Sequence, residues 1–256
     1  MAKALYWLSD AEWARIEPLM PRGRKGAHRV DDRRVRRVIS GIVHMLRSGA
    51  RWRDCPPAYG PYTTIYNCFN RWSRQGIWFE MFERLTGSSG ITATVAIDSS
   101  TLKVHRSAGG GKGGPFEQAI GRSRGGRTTK IHALTDDKGR PRVLLLSPGN
   151  THDVIMAPAL VEAAGCVARL LADKAYDTNL FRAVLADKAI EPVIPSIRRR
   201  KPLIPYDPIA YRQRNRIERM FCRLKDFRRV ATRYDKLARN FLATAILAAT
   251  IIWWIN

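Results

Sequence analysis

Hydrophobic residues recur at helical spacing through the first third of the chain. Apolar positions between Val35 and Leu46 repeat every three or four residues. Ser9 and Glu12 have the form of a capping box ahead of an earlier stretch of the same kind. Two aromatic-rich stretches with helical spacing follow. The pattern therefore predicts that residues 5–85 form a region of about four helices.

Beyond the segment TGSSG, residues 86–90, the pattern changes to that of β-strands. The segments TVAIDSSTLKV, TTKIHALTD and RVLLLSP favour three strands, the last two joined by the turn DDKG. Helical and strand-like stretches then alternate. This order predicts an α/β fold in which a mixed sheet, with its three leading strands antiparallel, carries helices on its faces. We expect a helical domain in residues 1–87 and an α/β domain in residues 88–256.

The charge balance indicates a polyanionic partner. The 256 residues contain 45 Lys and Arg against 22 Asp and Glu, a net charge of +23. Nucleic acid is the commonest partner of so basic a protein, and a membrane surface is the alternative. The apolar run Phe241–Ile255 is too short for a transmembrane helix and predicts a terminal helix that is buried or covered by a partner. The four cysteines are scattered, as in a protein with reduced thiols, so we expect a cytoplasmic, nucleoid-associated protein.

The segment YRQRNRIERMFCRLK, residues 211–225, sets one carboxylate among cations. On a single helix, four of its side chains would project from a strip about 60° wide: Tyr211, Arg214, Glu218 and Lys225. A solvated basic helix with an incidental glutamate is the alternative interpretation. The pattern favours a helix that holds one metal-ligand oxygen beside a phosphate backbone.

Two aspartates follow apolar strand segments and are candidates to join Glu218. Asp98 lies in VAIDSS and Asp173 in RLLADKAY, so we expect each at the end of a strand, facing a crevice. Three such carboxylates suit Mg²⁺, with Mn²⁺ as a substitute. Each aspartate alone is more often a strand terminator or a helix cap. For Asp153 and Asp177, capping of the next helix is the predicted role.

Basic residues outside these motifs are candidates for DNA contact. The glycine-rich tract that follows the first strand has no P-loop pattern, and we interpret it as a mobile cationic loop that moulds to a DNA backbone. The third predicted helix is the candidate base reader of a helix-turn-helix-like domain, although a small bundle with an aromatic core remains the alternative. The candidates in these two regions are Arg122, Arg124, Arg127, Lys130, Arg71 and Arg74.

These motifs resemble the bacterial insertion-sequence DDE transposases of the insertion-sequence-five group. Tyr211, Arg214, Glu218 and Lys225 match the group's Y-x2-R-x3-E-x6-K signature at every spacing. The residues DKAY from Asp173 onwards match its D-x-A-Y element, and QAIGRSRGGRTTKIHALTD looks like its signature loop and strand. Asp98 in AIDSS is placed like the group's first aspartate. The resemblance covers nearly the whole chain.

The resemblance implies a ribonuclease H-like catalytic core and a helical DNA-binding domain. It implies metal-dependent cleavage and strand transfer on double-stranded DNA, at the terminal inverted repeats and at the target, by a homodimer. By this analogy Asp98, Asp173 and Glu218 hold the metals. The residues that would contact phosphates near the scissile bond are Tyr211, Arg214 and Lys225. Two alternatives remain open: a ribonuclease H-like nuclease or resolvase, and a non-catalytic DNA-binding regulator derived from a transposase.

Overall fold

The computed structural model describes residues 4–21, 31–87 and 93–256. They fall into two units: Met1–Ser88 joined by Leu224–Asn256, and Ser89–Arg223. This division differs from the predicted one, which placed the C-terminal segment with the α/β domain. The predicted linker, residues 86–90, lies mostly outside the described residues.

The first unit begins with four helices, as the apolar spacing predicts. They are α1 (Asp10–Ile16), α2 (Asp32–Ser48), α3 (Tyr62–Arg74) and α4 (Ile77–Gly87). The capping box is present, since Ser9 accepts from the amide of Glu12 while the Glu12 side chain accepts from the amide of Ser9. Such a cap stabilises a helix by about 1 kcal/mol. Short 3-10 turns, Glu17–Leu19, Trp52–Asp54 and Pro57–Tyr59, connect the helices.

Helix α2 ends at Gly49, a position that glycine alone occupies without strain. Its φ is +71°, in the left-handed region, and its amide donates to the carbonyl of Met45. A Cβ at this position would lie 2.7 Å from the Cβ of Arg228. Both the backbone conformation and the close approach therefore require glycine.

The second unit is built on a mixed sheet. Its strands are β1 (Thr94–Val104), β2 (Gly121–Ser123), β3 (Gly126–Thr135), β4 (Pro141–Pro148), β5 (Arg169–Leu171) and β6 (Glu191–Val193). Strand β3 pairs antiparallel with β1, β2 and β4, whereas β5 runs parallel to both β1 and β6. The predicted antiparallel leading strands and the α/β alternation are confirmed.

Helices flank this sheet. They are α5 (Gly114–Glu117), α6 (Asp153–Ala164), α7 (Asn179–Asp187), α8 (Pro208–Tyr211) and α9 (Asn215–Leu224). The main core lies between the sheet and helices α6 and α7, where Val95 and Ile97 of β1 pack with Leu160, Phe181 and other apolar side chains. Alternate side chains of the strand point toward these helices, and this face of the sheet is thereby buried.

The C-terminal segment completes the first unit. It contains α10 (Arg228–Ala231), β7 (Thr232–Arg233), α11 (Ala238–Ala249) and a π-helical turn, Thr250–Trp254. The Trp254 ring packs edge-on against Phe82 of α4, and Asn240 donates to Asn70 of α3. Because α11 is apolar almost all round, it is stable only when covered, and the N-terminal helices cover it. Within the described residues, no helix combines the length and apolarity needed to cross a membrane.

Candidate active site

Asp98 lies in the middle of β1 and not at its end, contrary to the sequence prediction. Strand β1 pairs with the parallel strand β5 only from Thr94 to Ala96, but it stays paired with β3 as far as Lys103. Asp98 therefore stands two residues beyond the point where the parallel partner ends. At Asp98 the parallel partner has ended, while the antiparallel partner continues past the site.

Asp173 is placed as predicted, just after β5. It caps a 3-10 turn, Lys174–Tyr176, and its Oδ1 accepts from the amide of Ala175 at 2.9 Å. The negative charge of Asp173 also contributes to raising the pKa of Asp98. Two carboxylates from neighbouring parallel strands are thus close enough to repel each other.

Arg214 links Asp98 to Glu218. Its Nη1 lies 2.8 Å from Asp98 Oδ2, and its Nη2 donates to Glu218 Oε1. Its guanidinium also lies over the ring of Tyr211, 5.8 Å from the ring centre. The structure thereby brings together four of the predicted site residues, hereafter the acidic cluster: Asp98, Asp173, Arg214 and Glu218.

The electrostatics of the acidic cluster leave negative charge in excess. Burial is the main cause that raises the pKa of Asp98, and the amide of Ser99 and the charge of Arg214 offset it only in part. Burial tends to lower the pKa of Arg214, but the charges of Asp98, Tyr211 and Glu218 raise it above its ordinary value. One guanidinium is therefore shared by two carboxylates while the charge of Asp173 also acts on Asp98, an arrangement that favours an added cation or a protonated acid.

The predicted single helix from Tyr211 to Lys225 is wrong. Helix α8 ends at Tyr211, a 3-10 turn covers Arg212–Arg214, and α9 begins at Asn215 and ends at Leu224. Tyr211, Arg214 and Glu218 still contact one another on one side, since Arg214 lies over the Tyr211 ring and keeps its i,i+4 ion pair with Glu218. Lys225 follows the end of α9 and belongs to the first unit.

A polar network that was not predicted from the sequence lies on the other face of β1. Asp153, the first residue of α6, accepts from Ser99 Oγ at 2.6 Å and from Lys130 Nζ at 2.8 Å. Burial raises the pKa of Asp153, but these two hydrogen bonds outweigh it and hold the pKa below its ordinary range. The predicted capping role is therefore wrong for Asp153. The serine that follows Asp98 in AIDSS was the available sequence signal.

This network also changes the assignment of Lys130. Its ammonium donates to Asp153 and to the carbonyl of Thr151, and its side chain is 15% exposed. A lysine so engaged is not available to a DNA phosphate, and we withdraw it from the DNA-contacting residues. Asp177 was likewise predicted as a helix cap, but it binds Arg182 and Arg200, and Thr178 caps α7.

The other predicted DNA-contacting residues lie on the surface. Arg122 of β2 pairs directly across the ladder with Arg127 of β3, and both are exposed, as is Arg124 in the turn between them. In the first unit, Arg71 and Arg74 lie on the exposed face of α3.

The carboxylates suit a divalent metal by their chemistry. Asp98, Asp173 and Glu218 offer the hard oxygen donors that Mg²⁺ and Mn²⁺ prefer, and an ion would stabilise the charged form of Asp98, which burial and, less strongly, the charge of Asp173 disfavour. In the arrangement described, Arg214 lies between two of them, and no group of three or more His, Cys, Asp or Glu side chains in residues 4–21, 31–87 and 93–256 is gathered closely enough for a metal.

Two family models match the chain and together cover most of it. Residues 90–253 match the transposase DDE domain, and residues 8–82 match a family described as transposases of the IS4/5 family. Because the first match spans more than half of the chain, the protein belongs to the DDE transposase family. Its function is that of a DNA transposase of an insertion sequence, and the resemblance seen in its motifs is confirmed.

Individual relatives agree with this assignment. A Brucella ovis protein named as a transposase for insertion sequence element IS6501 is 32% identical over 127 residues, 49% of this chain and 98% of that protein. A Burkholderia cepacia protein named as a transposase for insertion sequence element IS402 is 29% identical over 137 residues, 49% of this chain and 63% of the relative.

A solved structure shares the fold. The piggyBac transposase in a synaptic complex with hairpin DNA matches with a TM-score of 0.55 at 11% identity, over 96% of this chain and 72% of that one. At this identity the similarity concerns the fold alone. It confirms the predicted architecture, a mixed sheet flanked by helices and preceded by a helical region.

Proposed function

We propose that this transposase binds the terminal inverted repeats of its insertion sequence and catalyses metal-dependent strand cleavage and strand transfer. The observation that carries the proposal is the acidic cluster. Arg214 pairs with Asp98 of β1 and with Glu218 of α9, which are 120 positions apart in the chain, and Asp173 follows β5, the parallel neighbour of β1. A stable fold has no need of such an excess of acid beside its sheet.

Asp98, Asp173 and Glu218 are the residues that would hold Mg²⁺ or Mn²⁺. A bound ion would supply Lewis acidity and would lower the pKa of a coordinated water near the scissile phosphate. The chain supplies the placement: β1 is paired with β3 both before and after Asp98, and the amide of Ser99 orients the Asp98 carboxylate through a 2.8 Å hydrogen bond. Ligands on paired strands keep their geometry better than ligands on loops.

Arg214 carries a positive charge that can bind either a DNA phosphate or a carboxylate. Its planar guanidinium matches the oxygens of a phosphate as well as those of Asp98 and Glu218. We assign it a contact with a phosphate next to the scissile bond, formed when these carboxylates turn to a cation. Tyr211, which lies under its guanidinium, supports that position. Lys225 remains a proposed phosphate contact from the signature match.

The hairpin of β2 and β3 provides a backbone-binding surface. Arg122 and Arg127 lie directly opposite each other, and like charges at such a position destabilise a sheet unless an anion neutralises them. With Arg124 between them, they suit the regularly spaced phosphates of double-stranded DNA. Base readout falls to the exposed face of α3 in the first unit, which carries Arg71 and Arg74.

Synapsis of two transposon ends suggests a homodimer acting at the bacterial nucleoid. From the sequence, the apolar run Phe241–Ile255 was expected to be either buried or covered by a partner. Trp254 is only 7% exposed and packs against Phe82 within its own unit. We therefore do not assign the dimer contact to Trp254.

The test is nicking of a supercoiled plasmid that carries the element's own ends, in Mg²⁺, Mn²⁺ or EDTA. We expect metal-dependent cuts at the end boundaries, and Glu218→Gln should lower their rate at least about 1,000-fold. End affinity should stay within a few-fold, because glutamine keeps the shape of the glutamate side chain. The matched control is Glu162→Gln, an exposed glutamate paired with Lys188, which should cut like the wild type.

Unchanged cleavage by Glu218→Gln would exclude this residue from the site. Cuts at the ends without joining to a target would indicate a nuclease or resolvase. Tight end binding by the wild type without any cleavage would indicate a DNA-binding regulator.

A further inference from the structure

The turn between β3 and β4, residues 136–139, lies against the start of α9. Arg216 of α9 donates from its Nη1 to the carbonyl of Asp137 in this turn. A cavity beside the contact is lined by Arg216 and Gln213 on one side and by Ala96 of β1 on the other. The first turn of α9 is therefore held at the end of the sheet where β3 turns back into β4.

The turn and the helix approach so closely that position 139 needs a glycine. The φ of Gly139 is +75°, and a Cβ there would lie 3.0 Å from the Cβ and 3.3 Å from the carbonyl oxygen of Arg216. Gly139 is buried, whereas Asp137 and Lys138 beside it are exposed. Neither atom of Arg216 belongs to the flexible end of its side chain, so an added methyl group would have to move the main chain of α9.

The side chain of Asp136 holds the turn in shape. It is 0% exposed, and it accepts from the amides of Lys138 at 3.0 Å and Arg140 at 2.8 Å and from Arg140 Nε at 2.7 Å. The amide of Gly139 donates to the carbonyl of Asp136 at 2.9 Å. Because one residue bonds to the rest of the turn in this way, the turn offers α9 a well-defined surface.

This contact bears on the acidic cluster through Glu218, the second residue after Arg216 in α9. Elsewhere in the same helix, Ile217 and Met220 are buried. Apolar burial is not directional, so by itself it does not fix where a helix stands along its own axis. A hydrogen bond and a close main-chain approach do fix it, because both depend steeply on distance. The contact with the turn therefore sets the position of Glu218.

The same turn is tied to Asp98 through the sheet. Strand β3 pairs with β1 so that Ala133 lies opposite Asp98, and the turn begins three residues later. Arg214 also links Asp98 to Glu218, but under the proposed function it turns to a DNA phosphate. The contact of Arg216 with the turn does not depend on Arg214, and it remains to keep Glu218 beside Asp98.

We propose that the β3–β4 turn positions Glu218 for metal binding, and that Arg216 and Gly139 are the positioning residues. Arg216 fastens the first turn of α9 to the carbonyl of Asp137, and Gly139 lets the helix come close enough for this bond. Both act through Glu218 and contact neither the metal nor the reacting phosphate. The inference rests on the proposed function, because that function assigns Glu218 to the metal site.

The first test compares Gly139→Ala with Gly76→Ala in the full chain. Gly76 is the matched control: its φ is +73°, but no atom of the described residues lies within 4 Å of an added Cβ. Three quantities are measured: the rate at which bound ends are cleaved in Mg²⁺, the Mn²⁺ dissociation constant on end DNA by water-proton relaxation, and the melting temperature in EDTA.

We expect both glycine variants to melt at a lower temperature than the wild type, because each places alanine at a positive φ. Only Gly139→Ala should cleave bound ends about tenfold more slowly and bind Mn²⁺ about tenfold more weakly, as is usual when a group that orients a metal ligand is disturbed. Its affinity for end DNA should stay within a few-fold, because no charge changes. Cleavage and Mn²⁺ binding equal to those of Gly76→Ala would overturn the inference.

A second pair of variants tests the hydrogen bond, and it decides the matter if Gly139→Ala does not fold. Arg216→Ala removes the donor to Asp137, whereas Arg219→Ala removes an equal charge from an exposed position on the same helix. Arg216→Ala should cleave bound ends about tenfold more slowly than Arg219→Ala. Arg216→Lys, which keeps a donor, should recover part of this loss. Equal rates for the two alanine variants would contradict a positioning role.

Failure of the proposed function gives a different pattern. If the wild type does not cleave the ends, or if Glu218→Gln cleaves like the wild type, the metal role of Glu218 fails and the role of the turn fails with it. Cleavage that is lost in Glu218→Gln but kept in Gly139→Ala and Arg216→Ala leaves the proposed function intact and removes only the role of the turn.

Discussion

Two arginine–carboxylate clusters lie in the second unit, and they are built on opposite principles. In the acidic cluster, the single Arg214 bonds two carboxylates, and a third stands nearby. In the other, hereafter the anchor cluster, two arginines bind one carboxylate: Asp177, Arg182 and Arg200.

The anchor cluster is fully satisfied. The Asp177 side chain is 0% exposed, and its oxygens accept from Arg182 Nε at 2.7 Å, from Arg200 Nε at 2.8 Å and from the amide of Ile197 at 2.8 Å. Arg182 donates again to the carbonyl of Ile194 at 2.9 Å. The cluster ties the start of α7 to the segment that follows β6, because its bonds join these two parts of the chain.

The acidic cluster is under-satisfied by comparison. Burial raises the pKa of Asp98, whereas burial of Asp177 is outweighed by its hydrogen bonds with Arg200, Ile197 and Arg182, which lower its pKa. The same residue types thus stabilise the fold in one place and strain it in the other. Such a difference is typical of a structural ion pair beside a functional site.

The largest loss of stability is expected from a substitution in the anchor cluster. Asp177→Asn leaves two largely buried guanidinium groups without their counter-charge, and the free energy of unfolding should fall by about 3 kcal/mol. Denaturant unfolding measures this loss. Glu162→Gln, which removes one partner of an exposed pair, should change the free energy by less than about 0.5 kcal/mol. A loss for Asp177→Asn no larger than that of this control would contradict a stabilising anchor.

At low pH the wild type should no longer be more stable than Asp177→Asn. The pKa of Asp177 is lower in the folded protein than its unfolded value of about 3.9. Its contribution is therefore present above the unfolded pKa and is lost as the pH falls through the folded pKa. Unfolding curves of both proteins from pH 7 downwards should show a constant difference above about pH 5 that shrinks below about pH 4. If the difference in unfolding free energy grew as the pH fell, the pKa of Asp177 would not be lowered in the folded protein.

The smallest stability effect is expected at the acidic cluster itself. Asp98→Asn removes a charge that burial disfavours but also an ion pair with Arg214, so the free energy of unfolding should change by no more than about 1 kcal/mol, in either direction. Denaturant unfolding in EDTA is the measurement. A loss as large as that of Asp177→Asn would mean that both clusters are structural.

Much of the fold follows from local pattern. The segment TVAIDSSTLKV, predicted as a strand, is β1 from its first residue to its last, because alternating and β-branched residues leave it little alternative. The buried stripe of Ile217, Met220 and Leu224 likewise follows from helical spacing alone.

Predictions that depended on a partner in space were less reliable. The signature residues from Tyr211 to Lys225 were expected on one helix, but a 3-10 turn interrupts it at Arg212–Arg214. Asp153 and Asp177 were expected to cap helices, because short-range capping is the only role that sequence separation makes visible. Their actual partners, Ser99 and Arg200, come from other elements.

By itself, the sequence determined the elements, the basic character and the acidic residues of the family signature, because each depends on residue type and short spacing. Only the tertiary structure decided which carboxylates meet, that Arg214 stands between Asp98 and Glu218, and that Lys130 is engaged by Asp153. It also decided that the C-terminal helix completes the N-terminal unit. These outcomes depend on burial and on partners distant in the chain, and the local sequence does not encode which distant surface an apolar or charged side chain will meet.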